Sequence, residues 1–234
     1  MAAVIAREVR DRETVAVGTL SPVPAAGVVL ASRRHAPGTT VMIINHDDYW
    51  PFHHGSKEFY DFAQRGKIDL FFLSGGQIDQ FGNLNLITIG AHDHPAVRLP
   101  GGAGAAMLYH LARRVILFRR DHTPRVFVER VDWVASPGSG PARVARPGGP
   151  WKVVTPLAVL AFNRESRRLE LESVHPGVSV ADVQSATGFH LLGPREIRTT
   201  PPPTEQDLAL LRGPVRESLA KLYPVFARTA FLAA

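Results

Sequence analysis

The sequence predicts an α/β protein: an open, mostly parallel sheet flanked by helices, with an antiparallel addition toward its C-terminus. Three observations predict it. Short, continuously apolar runs rich in β-branched residues alternate with helix-length intervals through the first half, as expected for parallel strands covered on both faces. Two later runs are separated only by a short polar turn, a connection open to antiparallel strands and closed to parallel ones. The 234 residues, 45% hydrophobic and 21% charged, suffice for one buried core and exclude disordered or collagen-like chains.

The elements follow in order. Ala2–Val9 has helical periodicity, and Thr14–Gly18 (TVAVG) reads as a buried strand. Pro22–Arg34 is a helix opened by proline and closed by a basic turn. Thr40–Asn45 (TVMIIN) and Lys67–Leu73 (KIDLFFL) are the next strands. A glycine-rich stretch, Ser74–Asn83, leads to a strand over Asn85–Gly90, a loop over Ala91–Gly104 and a helix over Ala105–Leu111. Val115–Phe118 and Arg125–Val128 read as further strands. Residues 135–150 hold mostly Gly, Pro and Ser without an apolar period, and read as a surface loop. Trp151–Phe162 and Leu169–Val174 then pair antiparallel about the turn Asn163–Arg168. Ser179 with Asp182, and Thr204 with Asp207, have the spacing of capping boxes, and Gly188 stops the first of those helices. The second, Glu205–Leu211, follows the stiff run Pro201–Pro203 and is expected to pack on the outside of the domain or on a partner. Residues 1–234 are therefore read as one domain, with 201–234 as a proline spacer and helix.

Composition removes several chemistries. Without cysteine there are no thiol nucleophiles, disulfides or cysteine-based zinc sites. The 27 basic against 21 acidic residues give a formal charge of +6, but all the basic residues except Lys57, Lys67, Lys152 and Lys221 are arginines scattered in pairs such as Arg33–Arg34 and Arg119–Arg120. Neither a block of like charge nor an interleaved aromatic surface exists, so no nucleic-acid partner is expected. The first ten residues lack a signal-peptide core and no run spans a bilayer, so no membrane association and a cytoplasmic location are expected. Histidines gather at His46, His53, His54, His92 and His94, yet no HxxxH or HExxH spacing sets two on one helical face, and no metal is expected. Leu73–Gln77 spells LSGGQ, a signature of ATP-binding cassettes, but the chain has no GxxxxGK[ST] loop to hold phosphates.

Two glycine-rich units remain. In SGGQIDQFGNLN, Gly75 and Gly76 let the backbone pass close to another group, and Gln77, Asp79, Asn83 and Asn85 cluster at the carboxyl end of a sheet, where α/β folds place ligands. The same residues also fit a tight turn whose Asp and Asn serve only local hydrogen bonds. In PGGAGAAM, Gly101, Gly102 and Gly104 precede a helix, so backbone N–H groups can face an anion or a developing oxyanion, or make a plain helix entry.

The segments VAVGT, APGTTVMII, SGGQIDQFGNLN, IGAHDHPAVRLPGGAGA, VDWVASPG, VVTPLAVLAF and SVHPGVSVADVQSATGF occur in this order from about Val4 to Val215. In that arrangement the chain resembles the β subunits of family I CoA-transferases, in particular the β subunit of the glutaconate CoA-transferase type. The resemblance implies the CoA-transferase fold and pairing with a homologous α subunit as a heterodimer or heterotetramer. It implies an acyl-CoA thioester as substrate and no permanently bound cofactor. It places Gly101, Gly102 and Gly104 near the thioester, and Gly75, Gly76, Gln77, Asp79 and Asn83 around the same pocket.

One position departs from that pattern. The family's strand ends in a glutamate that attacks the acyl-CoA and carries CoA as a thioester. Here Ile44 stands in its place, and only Asp47 and Asp48 lie near enough to substitute. The β subunits of the hydrolases that open the last steroid ring as a CoA thioester also lack this glutamate. They resemble the chain in the QxDxxGN element at 77–83 and the SxHPGV segment at 173–178. Transfer, carbon–carbon bond hydrolysis with the carboxylate on the α subunit, and a CoA-binding subunit without chemistry are the three readings this leaves open.

Overall fold

A computed structural model describes residues 1–53, 55–140, 144 and 146–231. The chain forms two compact units: Met1–Phe72 with the residues from Pro202 onward, and Leu73–Pro201. The first opens with α1 (Ala2–Glu8), β1 (Thr14–Val17), α2 (Pro22–Arg34), β2 (Thr40–Ile43), α3 (Ser56–Gln64) and β3 (Leu70–Leu73). β1 lies between two parallel partners, with Val17 opposite Ile43 and Ala16 opposite Phe71. Parallel neighbours cannot be joined by tight turns, and α2 and α3 supply the crossovers. α2 is buried without a break from Val23 to Ala31, which accounts for its uniformly apolar sequence. α1 packs against it at Gly27, where a Cβ would stand 2.6 Å from Ile5 Cγ2.

The second unit contains β4 (Gln77–Asp79), β5 (Leu84–Asn85), β6 (Thr88–Ile89), β7 (Val97–Arg98), α4 (Ala105–Leu111), β8 (Arg114–Phe118) and β9 (Phe127–Val128). It continues with β10 (Pro150–Val154), β11 (Ala158–Asn163), β12 (Arg168–Val174), α5 (Val180–Ser185) and β13 (Arg198–Thr199). β8 runs parallel to β10, β10–β11–β12 is an antiparallel meander, and β13 pairs parallel with β12. β5, β4 and β9 make a small separate sheet, and β6 with β7 a hairpin. The chain then rejoins the first unit through α6 (Glu205–Leu210), a π-type turn at Leu211–Val215, α7 (Arg216–Ala220) and α8 (Pro224–Thr229).

The α/β class and its mostly parallel pairing agree with the sequence reading, as does the antiparallel addition. Several boundaries move for local reasons. The strand expected over Thr40–Asn45 stops at Ile43, because Asn45 turns into the left-handed region at φ 66°. The run Trp151–Phe162 breaks at Thr155, whose Oγ1 accepts from Leu157 N and Ala158 N and closes a turn. The sequence pattern announces neither α3 nor the helices beyond Leu211. Gly213 and Pro214 interrupt the helical pattern there, and Gly213 sits at φ −99°, ψ −107°. Both capping boxes form as read, with Ser179 and Thr204 each accepting from the backbone N–H three residues on. Of the stretch 135–150, Ser136 is fully buried, Gly138 N donates to Asn83 Oδ1, and residues 141–143 and 145 lie outside the described residues.

Candidate functional site

In the first unit, the candidate region is the carboxyl edge of the parallel strands. Ile44 N donates to Val17 O at 3.1 Å, which carries β2 one bond further than its last paired residue. Ile44 itself is half-buried. The chain then folds into a tight turn in which His46 N donates to Ile43 O and Ile43 N to Tyr49 O. His46 is 1% exposed, with Nε2 3.1 Å from Ser218 O and Nδ1 accepting Asp48 N–H. Asp48 reaches Lys221 Nζ at 2.6 Å, and that hydrogen bond holds its carboxyl below the usual range. Asp47 is exposed. At the end of β1, Gly18–Ser21 leads to α2, with Ser21 Oγ donating to Thr19 O.

In the second unit the expected pocket residues form a different kind of object. Gln77, Asp79 and Asn85 are buried. Gln77 Nε2 donates to Asp132 Oδ2, while Gln77 Oε1 accepts from Asn85 Nδ2 and from Asp132 N. Asp132 Oδ2 also accepts from Gly90 N at 2.7 Å. Asn85 Oδ1 accepts from Ile87 N and Thr88 N. Asp79 gathers four donors: Phe81 N, Asn83 N and Nδ2, and Val131 N. Burial raises its pKa despite these donors, each of which pulls the other way. The network thus holds the 77–85 turn, the 86–90 segment and the 131–132 segment in one arrangement.

The glycines have separate reasons. A Cβ on Gly76 would lie 2.6 Å from Leu99 Cδ1, and Gly75 faces Asn85 O, so the chain before β4 passes flush against its neighbours. Arg119 Nη1 donates to Gly75 O at 2.8 Å while its other nitrogens pair with Asp121. Gly101 lies at φ 97°, a conformation open at little cost only to glycine, and its N–H is taken by Leu86 O. Gly104 is the N-cap residue of α4 and Gly102 O accepts from Ala105 N.

Sequence reasoning does not single out Asp132 or Arg119. Asp132 lies within VDWVASPG, but its partner Gln77 is 55 residues away and nothing local announces it. A cavity of about 600 Å³ lies elsewhere in the second unit, lined by Gln80, Glu129, Arg168, Gln184 and His190 among others, and includes none of the expected site residues. Among the described residues no three His, Asp or Glu side chains could together hold a metal ion, and no helix is long and apolar enough to cross a membrane. His54 lies outside the described residues.

The fold is α/β, with parallel strands flanked by helices. The chain belongs to the coenzyme A transferase family, whose profile matches residues 49–186. It is 28% identical over 220 residues to the B-type subunit of glutaconate CoA-transferase from Acidaminococcus fermentans, covering 81% of each chain. It is 35% identical over 156 residues to the B-type subunit of 3-oxoadipate CoA-transferase from Pseudomonas knackmussii, covering 64% of this chain and 59% of that one. The chain thus spans about three fifths of that relative's length. A cholesterol ring-cleaving hydrolase IpdB subunit of Rhodococcus jostii is 30% identical over 146 residues, covering 60% of this chain and 56% of that one. The crystal structure of the Acidaminococcus fermentans glutaconate coenzyme A-transferase superposes with a TM-score of 0.82 at 25% identity, covering 100% of this chain and 96% of that one.

Proposed function

We infer that the chain is the β-type subunit of a heteromeric enzyme acting on an acyl-CoA thioester, and that this subunit forms no glutamyl-CoA intermediate. One observation carries the second half: the strand end at which the family's nucleophile is expected presents the hydrocarbon side chain of Ile44, which cannot attack a thioester. The nearby carboxylates do not replace it, since Asp48 is engaged by Lys221 and Asp47 lies four residues past the strand end at Ile43.

The remaining residues have supporting parts. The loop of Gly101, Gly102 and Gly104 polarises the thioester carbonyl through backbone N–H groups other than that of Gly101, which Leu86 O takes, and Gly75, Gly76, Gln77, Asp79 and Asn83 hold the surrounding loops in place. The catalytic carboxylate comes from a homologous α subunit, in a heterodimer or heterotetramer, and CoA enters as part of the substrate. Within this reading, hydrolytic cleavage of a carbon–carbon bond in a cyclic keto acyl-CoA is favoured over transfer by the missing glutamate together with the likeness to the Rhodococcus jostii ring-cleaving hydrolase subunit.

Borohydride treatment of the co-expressed α–β complex during acyl-CoA turnover, followed by peptide mapping, tests the proposal. No reduced carboxylate is expected anywhere on this chain. A reduced Asp47 or Asp48 would restore transfer through this subunit, and a complex that binds CoA but turns over no acyl-CoA would identify a subunit without chemistry.

A further inference from the structure

Leu20 combines two features that folding does not reward. It is 88% exposed, the highest value among the large exposed hydrophobic residues, and it sits at φ 53°. The left-handed region is disfavoured for any residue with a Cβ and open to glycine at little cost. A sequence selected for stability alone would place Gly or Asn here.

Its position supplies a reason. Leu20 lies in the short loop between β1 and α2, at the carboxyl edge of the parallel strands, the same edge at which β2 ends at Ile43, one residue before Ile44. In other α/β proteins such an edge cradles phosphates on the N–H groups of the following helix. Here prolines remove most of that route. α2 begins with Pro22 and has Pro24 two residues later, neither of which carries an N–H, and Ala25 N is already given to Ser21 O. The Ser21 hydroxyl is likewise spent on Thr19 O. Beside the exposed Thr19, the apolar surface of this edge is that of Leu20, exposed, and Ile44, half-buried. A ligand group that packs on Leu20 and Ile44 is apolar.

We propose that Leu20 is a specificity-determining residue that packs against the apolar part of the acyl group. The inference rests on the acyl-CoA reading above and deepens it by naming which end of the thioester this edge receives: the acyl chain, with the CoA phosphates held elsewhere. The strained backbone is kept because it turns the side chain out toward substrate instead of into the core.

The test compares wild type, Leu20→Gly and Leu20→Asn, each as the full chain co-expressed with its α subunit, by calorimetric titration with acetyl-CoA and dodecanoyl-CoA. Wild type should prefer dodecanoyl-CoA. Both variants should fold with an unchanged or raised Tm, bind acetyl-CoA within about twofold of wild type, and lose about tenfold in affinity for dodecanoyl-CoA, the scale of one leucine's apolar contact. An unchanged dodecanoyl to acetyl ratio in both variants overturns the proposal. So does an unchanged ratio accompanied by weaker α–β association, which would make Leu20 a subunit contact. If wild type binds neither thioester, the acyl-CoA reading fails and takes this inference with it.

Discussion

Two strand ends in this chain carry the residues that sequence patterns nominate as functional, and they are built in opposite ways. After β2, the edge holds Ile44, a buried His46 turned toward Ser218, and an Asp48 engaged outside the strand by Lys221. After β3, Gln77, Asp79, Asn83 and Asn85 are interlocked with Asp132, each side chain bonded inside the protein. The polar cluster is therefore satisfied internally, whereas the first edge leaves Leu20, Asn45 and Asp47 exposed. A buried polar group must find partners to offset its lost hydration, and once it has found them it has little left for a ligand. Residue type alone thus misleads in both directions: carboxamides and carboxylates can be framework, and a leucine can be the group that meets substrate.

The comparison breaks most readily at Asp79. If the second region is framework, Asp79→Ala strands four donors, three on the backbone and one on Asn83, in a site that is 1% exposed. Equilibrium urea unfolding should show a loss of roughly 4 kcal/mol. A variant of near wild-type stability that has lost acyl-CoA affinity would instead make Asp79 a ligand group and erase the contrast.

The second unit contains another saturated polar cluster, whose signature is pH-dependent. His122 is buried between two threonine hydroxyls, Nδ1 at 2.8 Å from Thr155 Oγ1 and Nε2 at 3.0 Å from Thr187 Oγ1, and burial lowers its pKa to about 4. Below the ordinary histidine value near 6.5 the unfolded chain takes up a proton that the folded chain refuses. Stability is therefore complete above about pH 6.5 and falls as the pH drops toward about 4, by roughly 3 kcal/mol in all. His175, also lowered by burial, contributes in the same direction. Urea titrations from pH 4 to 8 should show this slope, and His122→Asn should flatten most of it. A slope that survives the substitution would locate the titration elsewhere.

The fold is legible where punctuation is strong. Proline opens α2 and glycines precede α4, and both helices fall at the residues expected. The capping boxes at Ser179 and Thr204 also form, because they are satisfied within four residues and need no tertiary context. Features decided at long range are illegible. α3 gains its place from Phe59 packing against Trp50 and Phe71, contacts that periodicity does not reveal. The grip of Arg34 on Asp207 across 173 residues, which anchors α6 to α2, has no local signal either. In SGGQIDQFGNLN the sequence leaves open whether the residues bind or merely turn, and the hydrogen bonds that join Gln77 to Asp132 lie beyond its reach. Leu20 escapes notice there because its exposure and its φ are invisible in a string of letters.

The smallest effect is expected at Asp48, and its smallness matters. Asp48 and Lys221 are both more than half exposed, so their pairing competes with water and salt and adds little to stability. Lys221 keeps the Asp48 carboxyl ionised, and an ionised carboxylate fixed on a lysine away from the strand end is poorly placed to attack a thioester. Asp48→Asn should leave both Tm and acyl-CoA turnover of the complex at wild-type values, measured side by side at low and at physiological salt. A turnover loss of tenfold or more with Tm unchanged would mean that the turn after β2 swings its carboxylate inward during the reaction. The first region would then hold a carboxylate nucleophile.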